Sequence, residues 1–463
     1  ILSGSPFSAH TEKAPMISEE VFDLGIPMLG ICYGIQLMAM MFGGEVGPSK
    51  ENGDRKSKVT VATPYKLFTG CDRDLEVWMS HSDLVTKVPR GFSAIASADE
   101  VPIAAIRHNS KEIYGLQFHP EVAHTDGGKK VLKNFTHNIC GCKGNWTIRS
   151  FVNEEIERIR DMVGKKRVLC GLSGGVDSAV TAALIQKAIG EQLTCVFVDT
   201  GLMRLNEGKM VEEVFTEQFK TDLVHVDAEA RFMEALKGVT DPEEKRKIIG
   251  ELFVRIFEEE AAKRKGEFDF LAQGTIYPDV IESFSVRGAA ATIKSHHNVG
   301  GLPKNMKFQL LEPLRELFKD EVRKVGVELG LSESLVYRHP FPGPGLAVRI
   351  LGEVTKEKCD TLRHADFIAI EELEKHGVYH NVWQAFCVLL PVKTVGVRRE
   401  ERSYENVAVF RAVTSIDAMT ADWARLPYDV LDAISQRIIN EVPHINRLVY
   451  DISSKPPATI EWE

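Results

Sequence analysis

Apolar residues in this chain cluster in short blocks separated by longer stretches with helical spacing, the pattern of layered α/β structure. Pro27-Met28-Leu29-Gly30-Ile31 reads as a buried strand, and the stretch after it, opened by Tyr33-Gly34-Ile35-Gln36 and rich in Leu37, Met38, Met40 and Met41, as a helix. Ile113 to Phe118 reads as a second strand. From Gly144 onward the blocks Val168 to Leu172, Cys195 to Val198, Leu223 to Val226 and Phe268 to Ala272 alternate with helical segments, which predicts a doubly wound parallel sheet. One of those helices is announced by Asp241 as cap and Pro242 at the first position, and its stripe of Ile248, Ile249, Leu252, Phe253 and Ile256 reads as core without chemistry. Three prolines between His339 and Gly345 exclude helix and predict a rigid turn. Beyond it, strand-like runs at Ala347 to Ile350, Cys387 to Val397, Val407 to Val413 and Leu448 to Ile452, with a helix from Tyr428 to Glu441, predict a small α+β domain. The boundaries expected are 1–142, 143–345 and 346–463.

Composition narrows the class. The 463 residues suffice for two to four domains, and a hydrophobic share of 44% with 27% charged residues is that of a globular protein. A net charge of −9 gives little reason to expect nucleic acid or an anionic membrane as partner. Eight cysteines lie scattered without a disulfide framework, as in a reducing compartment, and Cys140-Gly141-Cys142 lacks zinc spacing. The chain starts with Ile1 inside an apolar run, so further residues of the same fold are expected before it.

Three places then look chemical. Ser173-Gly174-Gly175-Val176-Asp177-Ser178 lies between a strand and a helix, where bare backbone amides, two hydroxyls and the helix terminus converge on an anion; a plain exit from a strand is the other reading. It is neither a Walker loop nor a dinucleotide fingerprint. Cys32 falls between Gly30 and Gly34 at a strand-to-helix turn, a position that lifts a thiol out of the core and lowers its pKa, although a cysteine there can also pack as a small hydrophobe. His119 and Glu121 leave the end of the second strand two residues apart, a base and its orienting partner.

The loop 173–178 resembles that of the ATP pyrophosphatases, and Gly30 to Gln36 with Phe118 to Glu121 resembles the class I glutamine amidotransferases. With Lys294 to Pro303, His339 to Arg349 and Lys455 to Glu463 added, essentially the whole chain resembles the glutamine-hydrolysing GMP synthase family. The fold implied is a class I amidotransferase domain, a doubly wound ATP pyrophosphatase domain and a small C-terminal α+β dimerisation domain. The resemblance implies that Cys32 attacks glutamine, His119 serves as base and acid, and Glu121 orients it. The Tyr33 amide and the loop at Ser5, where the family has glycine, would form the oxyanion hole, with Gln36, Ser80 and His81 near glutamine. Ser173, Gly174, Gly175, Val176, Asp177 and Ser178, together with Val198, Lys294 and Lys319, would bind ATP, Asp177 also holding magnesium. Arg204, Gln384, Lys455, Ile460 and Glu461 would bind XMP. Glutamine, XMP and ATP are the implied substrates, a second copy of the chain the implied partner, and the cytoplasm the implied location. Residues 398–403 depart from the family pattern. An adenylating ligase with another acceptor, a silent scaffold and a simple glutaminase are the competing readings.

Overall fold

The structure is a computed structural model. It describes the chain except residues 6, 12–13, 63–64, 123, 265–267, 284–307, 399–400 and 416–419, and except the side chains of 50–55, His81, 282–283 and Arg398. Lys294, expected near ATP, lies outside the described residues. The chain forms two compact units, Ile1–Asn145 and Trp146–Glu463.

The first unit is built on a six-stranded sheet of β1 (Met28–Ile31), β2 (Glu45–Val61), β3 (Asp74–Lys87), β4 (Phe92–Ala98), β5 (Val101–His108) and β6 (Ile113–Leu116), in the order β1-β6-β5-β4-β2-β3. β1 and β6 run parallel with Ile31 opposite Leu116, so the residues that follow them emerge side by side. All four residues of each strand are buried, which is why both are continuous apolar runs.

In the second unit β7 (Val168–Leu172), β8 (Leu193–Asp199), β9 (Asp222–Asp227), β10 (Phe270–Ala272) and β11 (Gln309–Leu311) form an all-parallel sheet in the order β11-β10-β7-β8-β9. Alternate residues serve opposite faces: Cys170, Leu172, Cys195 and Phe197 pack under the helices Ile148–Val163 and Val176–Ile189, while Leu169, Val196 and Val198 face the helix Pro242–Lys263. That second core continues without a break into a smaller sheet of β12 (Gln384–Arg398), β13 (Glu401–Thr414), β14 (Asp422–Trp423) and β15 (Ile445–Tyr450), where Ala385, Phe410, Ile434 and Ile438 belong to the same apolar cluster. The helix Tyr428–Glu441 stands where its pattern placed it. The run at Ala347 to Ile350, expected as a strand, is instead the end of a tight helical turn, Gly345–Arg349. Its apolar residues are all buried against neighbouring elements, so they read as a strand although the proline-rich entry leaves room only for one turn. No described helix is long and apolar enough to cross a membrane.

Candidate functional site

In the first unit Cys32 occupies the junction of β1 and the helix Tyr33–Met41 with φ +51° and ψ −102°, a strained conformation for a residue with a Cβ. Glycines make the junction possible: a Cβ on Gly30 would lie 2.6 Å from the Gly34 carbonyl carbon, and one on Gly34 would lie 2.2 Å from the Leu2 oxygen. The Cys32 amide donates to the Leu116 carbonyl at 2.7 Å, pinning the turn to β6, and its thiol meets the Ser80 carbonyl at 3.2 Å.

His119, three residues beyond β6, stands beside the Cys32 thiol on one side. On the other its Nδ1 lies 2.6 Å from Glu121 Oε1. Burial favours the neutral ring, but the interactions with Cys32 and Glu121 outweigh it and raise the His119 pKa to about 10. Burial would likewise raise the Glu121 carboxyl, yet the bond to His119 holds it below the usual range. The carboxylate thus favours the protonated form of the ring that stands beside Cys32.

Thr125 completes the support: its hydroxyl donates to the His119 carbonyl at 2.6 Å and accepts the Trp78 amide at 2.9 Å, tying this turn to β3. Nothing in the sequence pattern marks Thr125. Tyr33 is the first residue of the helix, so its amide has no partner within the helix. A Cβ on Gly4 would lie 3.2 Å from His119 Cε1 and 3.8 Å from Cys32 Cβ, which puts the loop containing Ser5 beside Cys32. Ser5 Oγ itself accepts the Phe7 amide at 3.3 Å. Gln36 turns inward and donates to the Asp83 carbonyl at 2.7 Å, so its side chain braces β3. Ser80 contributes its carbonyl; the His81 side chain lies outside the described residues.

In the second unit the loop after β7 is tied by its own hydroxyls. Ser178 Oγ accepts the Ser173 amide at 3.2 Å, and Ser173 Oγ accepts the Gly175 amide at 3.3 Å. Gly174 has φ +76°, and a Cβ there would lie 2.7 Å from Met203 Cε. Val176 and Asp177 open the helix Val176–Ile189, whose terminus favours anions. One Asp177 oxygen is ion-paired with Lys319, and Oδ1 is buried with no protein partner. Gly274, beyond β10, packs so closely that a Cβ would lie 3.0 Å from the Asp177 carbonyl carbon. The Val198 side chain faces the core, leaving only its backbone for a ligand.

Arg204 is half-buried and donates to the carbonyls of His339 and Pro340 at 3.1 and 3.2 Å, its guanidinium 4.5 Å from the Phe341 ring centre. Gln384 reaches the same Pro340 carbonyl at 3.1 Å and donates to Glu461 at 2.7 Å. Glu461 in turn takes a two-pronged ion pair from the fully buried Arg349, at 3.0 and 2.8 Å. Arg349 lies 4.1 Å from the Phe386 ring centre and keeps Nη1 without a protein partner. Ile460 is held through its carbonyl by Arg411 at 2.8 Å, and Lys455 exchanges backbone bonds with Ala421. Arg204, Gln384 and Glu461 therefore meet around Pro340, while the backbone bonds of Lys455 lead to Ala421. Arg349 and Arg411 were not singled out by pattern, because an arginine in an apolar run carries no local signal of its partner.

An elbow cysteine paired with a His–Glu couple in one unit, and a phosphate loop at the end of a parallel strand in the other, define a glutamine amidotransferase joined to an ATP-using synthetase. Residues 1–139 match the class-I glutamine amidotransferase family, 147–249 the NAD synthase family and 371–462 the GMP synthase C-terminal domain. The chain is 56% identical over its full length to a glutamine-hydrolysing GMP synthase of Brachyspira hyodysenteriae, covering 90% of that protein. Its identity to that of Acetivibrio thermocellus is 57%, and to that of Clostridium botulinum 56%, with the same coverage. The chain belongs to the glutamine-hydrolysing GMP synthase family.

Proposed function

We propose that the first unit releases ammonia from glutamine through Cys32, His119 and Glu121, and that the second transfers it to XMP after activation by ATP. In the first step the Cys32 thiolate adds to the side-chain carbonyl carbon of glutamine, while the Tyr33 amide and the Ser5 loop face the oxygen as it gains charge. His119 gives its proton to the departing ammonia, leaving a thioester, and then takes one from the water that cleaves it. Glu121 holds the ring in register. Gln36, Ser80 and His81 shape the glutamine pocket.

In the second unit an oxygen of XMP attacks the α-phosphorus of ATP, pyrophosphate leaves, and ammonia displaces AMP to give GMP. Ser173 to Ser178 hold the pyrophosphate, with Val198 contributing backbone and Lys294 and Lys319 positive charge. The free Asp177 oxygen fits a magnesium ion, a hard cation that takes one carboxylate and completes its shell with phosphate oxygens and water. When bound with ATP it would neutralise charge on the pyrophosphate. Arg204, Gln384 and Glu461, which meet around Pro340, are assigned to XMP together with Lys455 and Ile460 of the same terminal segment, and the segments 1–142, 143–345 and 346–463 are assigned the three tasks. A homodimer through the last segment is supported by Val392, Val395, Val397 and Tyr404, apolar side chains exposed along the β12–β13 hairpin. The cytoplasm is the proposed location.

The observation that carries this reading is Cys32 at a positive-φ elbow beside His119, whose ring is bonded to Glu121. The test is GMP formation from XMP and magnesium–ATP, with glutamine in one reaction and ammonium in another. Product in both is expected; product with ammonium alone would refute the role of the elbow, and product in neither would refute XMP as acceptor.

A further inference from the structure

The helix Pro242–Lys263 places a lysine where the packing leaves no water. Lys245 is fully buried, and an ammonium so placed costs several kcal/mol unless every proton finds an acceptor. It finds three: the carbonyls of Ala347 and Ile350, at 3.2 and 2.8 Å, and the carboxylate of Glu463. The next residue, Arg246, donates to the main-chain oxygen of Glu463. The helix thus grips one turn of chain, Gly345–Arg349 with the residue after it, and the last residues of the tail at the same time.

That turn contains Arg349, and that tail contains Glu461. Two carboxylates of the tail are therefore each bound to a buried cation, Glu461 to Arg349 and Glu463 to Lys245. One cation belongs to the turn and the other holds the turn's carbonyls. Glu461 also accepts from Gln384, so the position of the tail along this double attachment decides where the Glu461 carboxylate stands relative to Arg349 and Gln384.

We propose that Lys245 and Glu463 are positioning residues for the acceptor nucleotide: without touching it, their ion pair sets the register between turn and tail and so the shape of the place built by Arg349, Gln384 and Glu461. This rests on the assignment of Gln384 and Glu461 to XMP. Glu463→Ala leaves Lys245 two carbonyls and removes one of the tail's two carboxylate attachments, whereas Glu463→Gln retains a side-chain oxygen for Lys245 and should keep the register.

The experiment pairs ammonium-driven kinetics with hydrogen exchange in the ligand-free protein and a melting curve. For Glu463→Ala the expected result is a KM for XMP raised about tenfold or more, with kcat and the KM for ATP within about threefold of wild type. Amide exchange should quicken in 345–350 and 459–462, and Glu463→Gln should restore both readouts. Unchanged exchange with an unchanged KM for XMP in Glu463→Ala overturns the proposal. So does an equal loss in both variants in which the KM values for XMP and ATP rise together as the melting temperature falls, since that marks a merely structural pair. Quickened exchange confined to those two segments, in a protein whose wild type does not aminate XMP, supports the register device and places the fault in the choice of nucleotide.

Discussion

Cys32, His119 and Glu121 hang from the ends of two strands that are neighbours in one sheet, whereas Asp177, Lys319, Arg349, Gln384 and Glu461 come from five separate stretches of chain. The first set already stands together, His119 beside Cys32 and bonded to Glu121. In the second, charges expected to face ligands are held by other protein charges, Asp177 by Lys319 and Glu461 by Arg349. The difference follows from what each centre must do. A thiol nucleophile needs only groups that the protein supplies, so the triad can be assembled in advance. A site for ATP and a nucleotide must hold strongly charged groups in a partly buried place even when no ligand balances them, and internal ion pairs meet that need.

The sharpest break of this comparison is Cys32→Ala, which should reduce glutamine-dependent GMP formation by about 10⁴-fold or more while ammonium-dependent formation stays within about twofold. Loss of both activities would show that the two centres are not separable. Asp177→Asn should reverse the selectivity of the damage, lowering synthesis from either nitrogen source by about 10²- to 10³-fold with glutamine hydrolysis retained. Persistent synthesis would remove Asp177 from the phosphate site. Glu121→Gln should cost about a hundredfold in glutamine-dependent kcat. Because Glu121 helps raise the His119 pKa, the alkaline limb of the glutamine pH profile should also move to lower pH; an unmoved limb would deny the coupling.

The smallest effect expected is on stability. His339 is buried in the proline-rich turn, its Nδ1 accepting the Ala385 amide at 3.2 Å and its Nε2 donating to the Tyr379 carbonyl at 3.0 Å. Burial, only partly offset by the Tyr379 carbonyl, pulls its pKa down from 6.5 to about 4. Between those values the unfolded chain binds a proton that the folded chain refuses. The contribution is whole above about pH 6.5 and is lost as the pH falls toward 4, about 3 kcal/mol in all. Melting curves from pH 7 to 4.5 should therefore fall less steeply for His339→Gln than for wild type, and parallel curves would contradict the assignment.

The elbow at Cys32, the His119–Glu121 couple and the 173–178 loop were legible because each is a local event: an apolar run ends, glycines permit a turn that a Cβ would block, and a helix begins. The same local reasoning mistook Ala347 to Ile350 for a strand and treated the helix Pro242–Lys263 as core alone. Burial makes residues of a turn as apolar as those of a strand, and a lysine four positions into an amphipathic helix looks like an ordinary solvated residue.

By itself, then, the sequence determined most of the strands and helices and where a cysteine and a glycine-rich loop stand at the ends of strands, because period, glycine and proline act over a few residues. Only the tertiary structure decided that Lys245 would meet Glu463, that Arg349 would meet Glu461, and that Thr125 would bridge β3 to the His119 turn. Those pairs join residues far apart in the chain. A buried charge is stabilised only by the partner that folding brings to it, so such a partner has no signature near the residue that needs it.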